Sequence, residues 1–127
     1  MTSPTARSLE QLRKDGYLCA VVERWCAFSR RRIDLFGIID VVFIGGESIG
    51  VGGIQATTTG NLPSRIKKAM ACPALRVWLQ AGNRFSCWGW AKRGKKGERK
   101  VWTLKECKFV VENNVVKCID VTVSGGV

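Results

Sequence analysis

Residues 32–58 read RIDLFGIIDVVFIGGESIGVGGIQATT, and this stretch decides the fold. Its first part, 33–44, is dense in β-branched and aromatic residues and reads as a strand. Gly37 in its middle marks a bulge or a close backbone approach. Gly45-Gly46 with Glu47-Ser48 supplies a turn, and 49–58 returns as the next strand. Gly50, Gly52 and Gly53 weaken the start of that second strand. On a regular strand Asp34, Phe36, Ile38, Asp40 and Val42 share one face, and so do Gln55 and Thr57 on the next. Asp40 sits between Ile39 and Val41, in the most apolar part of the chain. A carboxylate there needs a cation, a metal or hydrogen-bond donors. Antiparallel pairing of the two strands brings it beside Gln55 and Thr57. That oxygen-rich trio suits Mg²⁺, which takes few protein ligands and keeps its waters. A buried acid satisfied by backbone donors or by an arginine is the alternative, and both stand open at this point.

Outward from this pair, residues 1–6 are polar, Ser8 caps a helix and Gly16 stops it. Residues 17–25 read as a strand, followed by a basic loop at Arg30-Arg31-Arg32. After the central pair, Asn61 and Pro63 open a helix carrying Ile66, Ala69 and Met70. Cys72-Pro73 interrupts it, and a second short helix runs to Gly82. The remainder returns to β: 84–91 with 101–105 as one hairpin, 109–112 with 115–121 as another around Asn113-Asn114, then a loose Ser124-Gly125-Gly126 tail. The expected class is α/β, in the mixed α+β sense, in one domain over 1–127.

With 127 residues, 46% hydrophobic and 24% charged, the chain is one ordinary globular domain. No apolar run approaches the ~20 residues of a membrane span. The first 13 residues hold no apolar signal core, so a cytoplasmic setting, prokaryotic or phage-encoded, is expected. Twenty-one Lys and Arg against 10 Asp and Glu leave a net charge of +11. Such an excess points to a polyanion, nucleic acid ahead of an anionic membrane. The absence of histidine excludes histidine acid–base chemistry, Ser-His and Cys-His nucleophiles and histidine-bearing zinc sites. The six cysteines show no C-x-x-C spacing and are expected to be structural thiols.

Residues 92–100, KRGKKGERK, place six Lys or Arg and one Glu on a hairpin tip, among them Lys92, Arg93, Lys95 and Lys96. They suit sequence-independent phosphate contacts, or are a solvated loop. Trp88 and Trp90 share a strand face, with Trp102 on the partner strand. Packing within the sheet is the first reading, base stacking the second.

The run RIDLFGIIDVV followed by IQAT resembles the core of the PD-(D/E)XK nuclease superfamily, and most of all its small phage-type and Holliday-junction-resolvase-like members. The resemblance covers about 8–91 and implies an αβββαβ restriction-endonuclease-like core, with 92–123 as a C-terminal β-hairpin extension. It implies a Mg²⁺- or Mn²⁺-dependent endodeoxyribonuclease, acting on branched or junction DNA, and a homodimer. Asp40 falls on the metal-binding Asp, Gln55 on the acidic member of the (D/E)-x-K pair and Thr57 on its Lys. Glu10 on the first helix is the candidate completing acid, with Glu23 in reserve. Gln55 is neutral and Thr57 carries no charge, and Lys67, Lys68 or Arg65 on the following helix are the candidates to replace the Lys. Arg30, Arg31, Arg32, Arg65, Lys68 and the 92–100 tip are the expected DNA contacts. The alternatives are a catalytically decayed nuclease fold that only binds DNA, and an RNA-binding or protein-interaction domain using the Trp-bearing sheet.

Overall fold

Hydropathy reads 33–44 as one strand, but its backbone reverses in the middle. In a computed structural model, which describes residues 2–125, Gly37 N–H donates to Asp34 C=O (3.0 Å) and Ile39 N–H to Leu35 C=O (3.0 Å). Phe36 (φ 53°) and Gly37 (φ 80°) hold the left-handed conformations that this tight turn requires. The strand therefore splits. Its first part belongs to β3 (Arg31–Ile33), which pairs with β2 (Arg24–Cys26) in a separate two-stranded ribbon. Its last part is β4 (Val41–Ile44) in the main sheet. The turn drives Ile38 and Ile39 into the core, where they are fully buried. The strand expected at 17–25 divides likewise, into β1 (Leu18–Val21) and β2.

The main sheet adds β5 (Gly52–Thr58), β6 (Arg84–Arg93), β7 (Val101–Glu112) and β8 (Val115–Gly125), in the order β1-β4-β5-β6-β7-β8. All neighbours are antiparallel except β5 and β6, which run parallel. A parallel pair needs a crossover. A 3₁₀ turn (Thr59–Asn61), α2 (Leu62–Met70) and α3 (Pro73–Gln80) provide it. Strand alternation then sorts the core into two layers. Phe85 and Cys87 of β6 pack with Leu62, Ala69, Leu75 and Leu79 from the crossover helices. Trp88 and Trp90 turn the other way, onto Leu12 of α1 (Pro4–Lys14), Val41 and Ile54. The result is a mixed α+β domain with helices on both faces of a mixed sheet.

Several local expectations are corrected. The first helix begins at Pro4 with Ser3 as its cap, accepting from Ala6 N–H at 3.1 Å. Ser8 is instead buried inside it, accepting from Trp90 Nε1–H (3.0 Å) and donating to Pro4 C=O (2.8 Å). The segments 101–105 and 109–112 are one strand, kept continuous by a bulge between Lys108 and Phe109. Ser124 and Gly125 extend β8 rather than fraying, and Gly126 lies outside the described residues. Asn113 and Asn114 both adopt positive φ, 51° and 66°, as the tight hairpin demands. Cys107 and Cys118 are joined as a disulfide across β7 and β8, so not all six cysteines are free thiols. Their Cα atoms lie 6.4 Å apart, within reach of such a bond. No helix among the described residues is long and apolar enough to cross a membrane.

Candidate metal centre

Three backbone segments converge where β1 ends, β4 begins and β5 passes between the layers. Val22 N–H donates to Asp40 C=O (2.8 Å), and Asp40 N–H donates to Ile54 C=O (2.9 Å). This fixes Asp40 at the entrance of β4, with its side chain on the crossover-helix face beside Gln55. The 34–37 turn swings Asp34 in from the ribbon, and Glu23 enters from the link between β1 and β2. Carboxylate oxygens of Glu23, Asp34 and Asp40 all lie within 4.8 Å of one another.

Hydrogen bonds hold this arrangement. Asp40 Oδ2 accepts from Ala56 N–H (2.8 Å) and Gln55 Nε2 (2.9 Å), and Gln55 Nε2 also donates to Asp34 Oδ2 (3.2 Å). Two cations lie at the edge: Lys68 Nζ is 3.7 Å from Asp34, and Arg32 is 3.1 Å from Glu23. Asp40 is only 3% exposed, and burial pushes its carboxyl up to about 8, with the neighbouring Asp34 carboxyl adding to the rise. Without a cation the cluster therefore retains a proton at neutral pH. Beneath it Cys87, opposite Gln55 in the parallel register, is pushed up to about 12, by burial first and the Asp40 charge second.

Hard divalent cations favour such an oxygen set. The fit is sharpened by Gln55, which is buried while its Oε1 has no hydrogen-bond partner among the described residues. A buried carbonyl oxygen without a partner is costly. Turning the amide over exchanges its oxygen and nitrogen, and directs Oε1 at the carboxylates. The turn gives up both Nε2 hydrogen bonds and leaves the NH2 group in the place without a partner, so it becomes favourable only with a cation between Oε1 and the carboxylates. Glu23, Asp34, Asp40 and Gln55 thus form a set able to hold a metal ion.

The expected site residues separate into those the fold gathers and those it does not. Asp40 and Gln55 meet as expected, and Thr57 is buried two residues further along the same strand face. Glu10 does not join them. It is exposed on α1, on the opposite face of the sheet, beside Arg7, Gln11, Lys14 and Trp102. The reserve acid Glu23 takes the place expected for it. On α2, Lys68 reaches the cluster and Lys67 does not, because consecutive helical residues point about 100° apart. Arg65 lies half-buried on the same helix. Arg30 and Arg31 are exposed on the ribbon and its turn, as is Arg32. Lys92 and Arg93 extend β6 beyond its expected end, and residues 94–100 form an exposed loop after it. Because β6 runs parallel to β5, that loop leaves the sheet at the end towards which β5 carries Gln55. Trp88 and Trp90 are each 6% exposed, with Trp88 Nε1 donating to Glu106 (2.7 Å), so they pack the α1 layer. Trp102 is covered by the Arg7 guanidinium, 3.6 Å from its ring centre.

Asp34 was legible only as a strand-face neighbour of Asp40. The local signal for the reversal that carries it there is Gly37, which holds a positive φ in the turn. Comparison with family models, curated proteins and solved structures finds no match to this chain.

Proposed function

We propose that the protein is a divalent-metal-dependent endodeoxyribonuclease of the PD-(D/E)XK type, cutting DNA phosphodiester bonds with Mg²⁺ or Mn²⁺. The observation that carries this reading is the three-carboxylate cluster with the partnerless Gln55 oxygen beside it. Element order supports it. α1, the antiparallel β1-β4-β5, the crossover helices and parallel β6 follow the αβββαβ order that the resemblance implies, with β7 and β8 as the hairpin extension. The +11 charge and the exposed basic residues of 92–100, at the cluster's end of the sheet, supply phosphate attraction.

In this reading Asp40, Asp34, Glu23 and Gln55 would hold the cation, which would supply Lewis acidity to the phosphoryl oxygen and make a water more acidic. Lys68, at the edge of the cluster beside Asp34, takes the part of the family's strand-borne Lys in this reading and orients the attacking water. Arg32 lies at the rim, where it meets the scissile phosphate. A homodimer with two such centres belongs to the same proposal. The RNA- or protein-binding alternative through the Trp-bearing sheet loses its surface, since Trp88 and Trp90 are buried.

The test is cleavage of labelled linear, flapped and four-way DNA at low salt with Mg²⁺ or Mn²⁺, wild type beside Asp40→Asn. Wild type cuts, and the variant loses about 10³-fold or more in rate while still binding DNA. Salt-sensitive binding without cleavage in either metal would instead identify a decayed nuclease fold that holds DNA.

A further inference from the structure

The β2–β3 ribbon carries a feature that the hydrolytic reading leaves unused. Phe28 at its tip is 100% exposed and Trp25 on β2 is 62% exposed. Isolated apolar residues are common on surfaces. Here, however, the two large aromatics stand on a projection with only three residue pairs, among Arg24, Arg30, Arg31 and Arg32, all exposed. Trp25 faces Arg32 across the ribbon, and Arg32 reaches Glu23 of the acidic cluster at 3.1 Å. Glu23 and Asp34 flank the two strands at the ribbon's base. The aromatic and cationic surface is thus continuous with the candidate metal centre.

We infer that the β2–β3 ribbon is a base-stacking clamp for unpaired nucleotides, with Phe28 and Trp25 as its platforms and Arg30 and Arg32 on the phosphates. A base inside a duplex already stacks on its neighbours and shows an aromatic side chain only its edge. An unpaired base has a free face and gains a stacking partner, whatever its identity. Arg32 shares the face of Trp25 as its cross-strand partner and Arg30 lies two residues from Phe28, so each ring has a guanidinium near it for the phosphate of the nucleotide stacked there. An anionic membrane also attracts arginine and aromatic residues, but it would press headgroup phosphates onto Glu23, Asp34 and Asp40. A metal-bridged phosphodiester instead makes use of those carboxylates. The inference rests on the nuclease reading for the neighbouring cut, and names the substrate class as DNA with a single-stranded segment.

The experiment measures binding of the full chain carrying Asp40→Asn, so that nothing is cut, to three probes of one sequence: a single strand, a blunt duplex and a duplex with a single-stranded tail. Phe28→Ala, Trp25→Ala and the conservative Phe28→Trp are made in the same background. The Phe28 side chain is fully exposed, so its replacement leaves the fold intact. The expected result is tighter binding of the single strand and tailed duplex than of the blunt duplex. Each alanine variant weakens the first two by about tenfold and leaves the third unchanged, and Phe28→Trp restores the preference. Equal affinity of wild type and both alanine variants for all three probes overturns the clamp, as does a Phe28-dependent gain on anionic vesicles but not on DNA. Cleavage is read separately, with Asp40 intact. Asp40-dependent cutting that ignores Phe28 sinks the clamp and spares the nuclease. Phe28-dependent binding of single strands by a chain that cuts nothing does the reverse.

Discussion

At Asp40 the raised pKa ties the candidate centre to folding stability. Between the ordinary value of 3.8 and about 8, the native carboxyl keeps a proton that the unfolded chain has lost. The native state then binds more protons, so stability of the metal-free protein falls as pH rises through that window, by up to about 1.4 kcal/mol per pH unit. Urea midpoints across the window should show this slope in wild type, and Asp40→Asn should flatten it. Mn²⁺ should raise the midpoint most at the alkaline end, where no proton has to be displaced. The thiols give a second residue-level outcome. Hydrogen bonding to the Ser29 side chain lowers the Cys26 pKa, whereas burial raises that of Cys87. Iodoacetamide labelling followed by mass spectrometry should find Cys26 modified well before Cys87, which reacts only on unfolding.

Among the elements, the β4–β5 pair shows how glycine placement serves the site. Phe43 lies across from Gly52, and a Cβ there would stand 2.1 Å from its ring. Gly52, one of the glycines that weaken the reading of this strand, is therefore what lets it pack beneath the aromatic ring. Gly52→Ala should cost about 1–3 kcal/mol through overpacking, read as a lower urea midpoint with the cleavage pattern retained in the folded fraction. The 34–39 turn acts differently. Its left-handed Phe36 and Gly37 interrupt an otherwise strand-like run and deliver Asp34 to Asp40. Hydropathy does not register this reversal, because the turn residues Leu35, Phe36, Ile38 and Ile39 are as apolar as any strand. The crossover helices were legible because Asn61-Leu-Pro and Cys72-Pro mark their starts and Gly82 the end, independently of packing.

For the molecule as a whole, the charge excess sets the binding regime. Affinity for DNA should fall steeply with salt, in a log–log plot whose slope counts the phosphates neutralised. If residues 92–100 contribute, Lys95→Gln with Lys96→Gln should reduce that slope by about 0.9 for each phosphate no longer neutralised and leave the Phe28-dependent preference in place. Fluorescence anisotropy over a salt series reads both quantities. An unchanged slope would make the loop a solvated tip and move the phosphate-binding role to the arginine ribbon and α2.

Composition and local pattern by themselves determined the α+β class, the strands at 49–58, 84–91 and 115–121, the crossover helices, the net positive charge and the prominence of Asp40 and Gln55. These follow from charge, β-branching, proline and glycine, which act over a few residues. Tertiary structure alone decided which acids meet. Glu10 and Glu23 are equivalent in chemistry. The layer chosen by α1, through Leu12 and Ser8 against Trp90, carries Glu10 to the far side of the sheet, while the exit of β1 beside Asp40 brings Glu23 in. Such a choice depends on which face of the sheet an apolar stripe covers, and that is settled only when all the layers pack together.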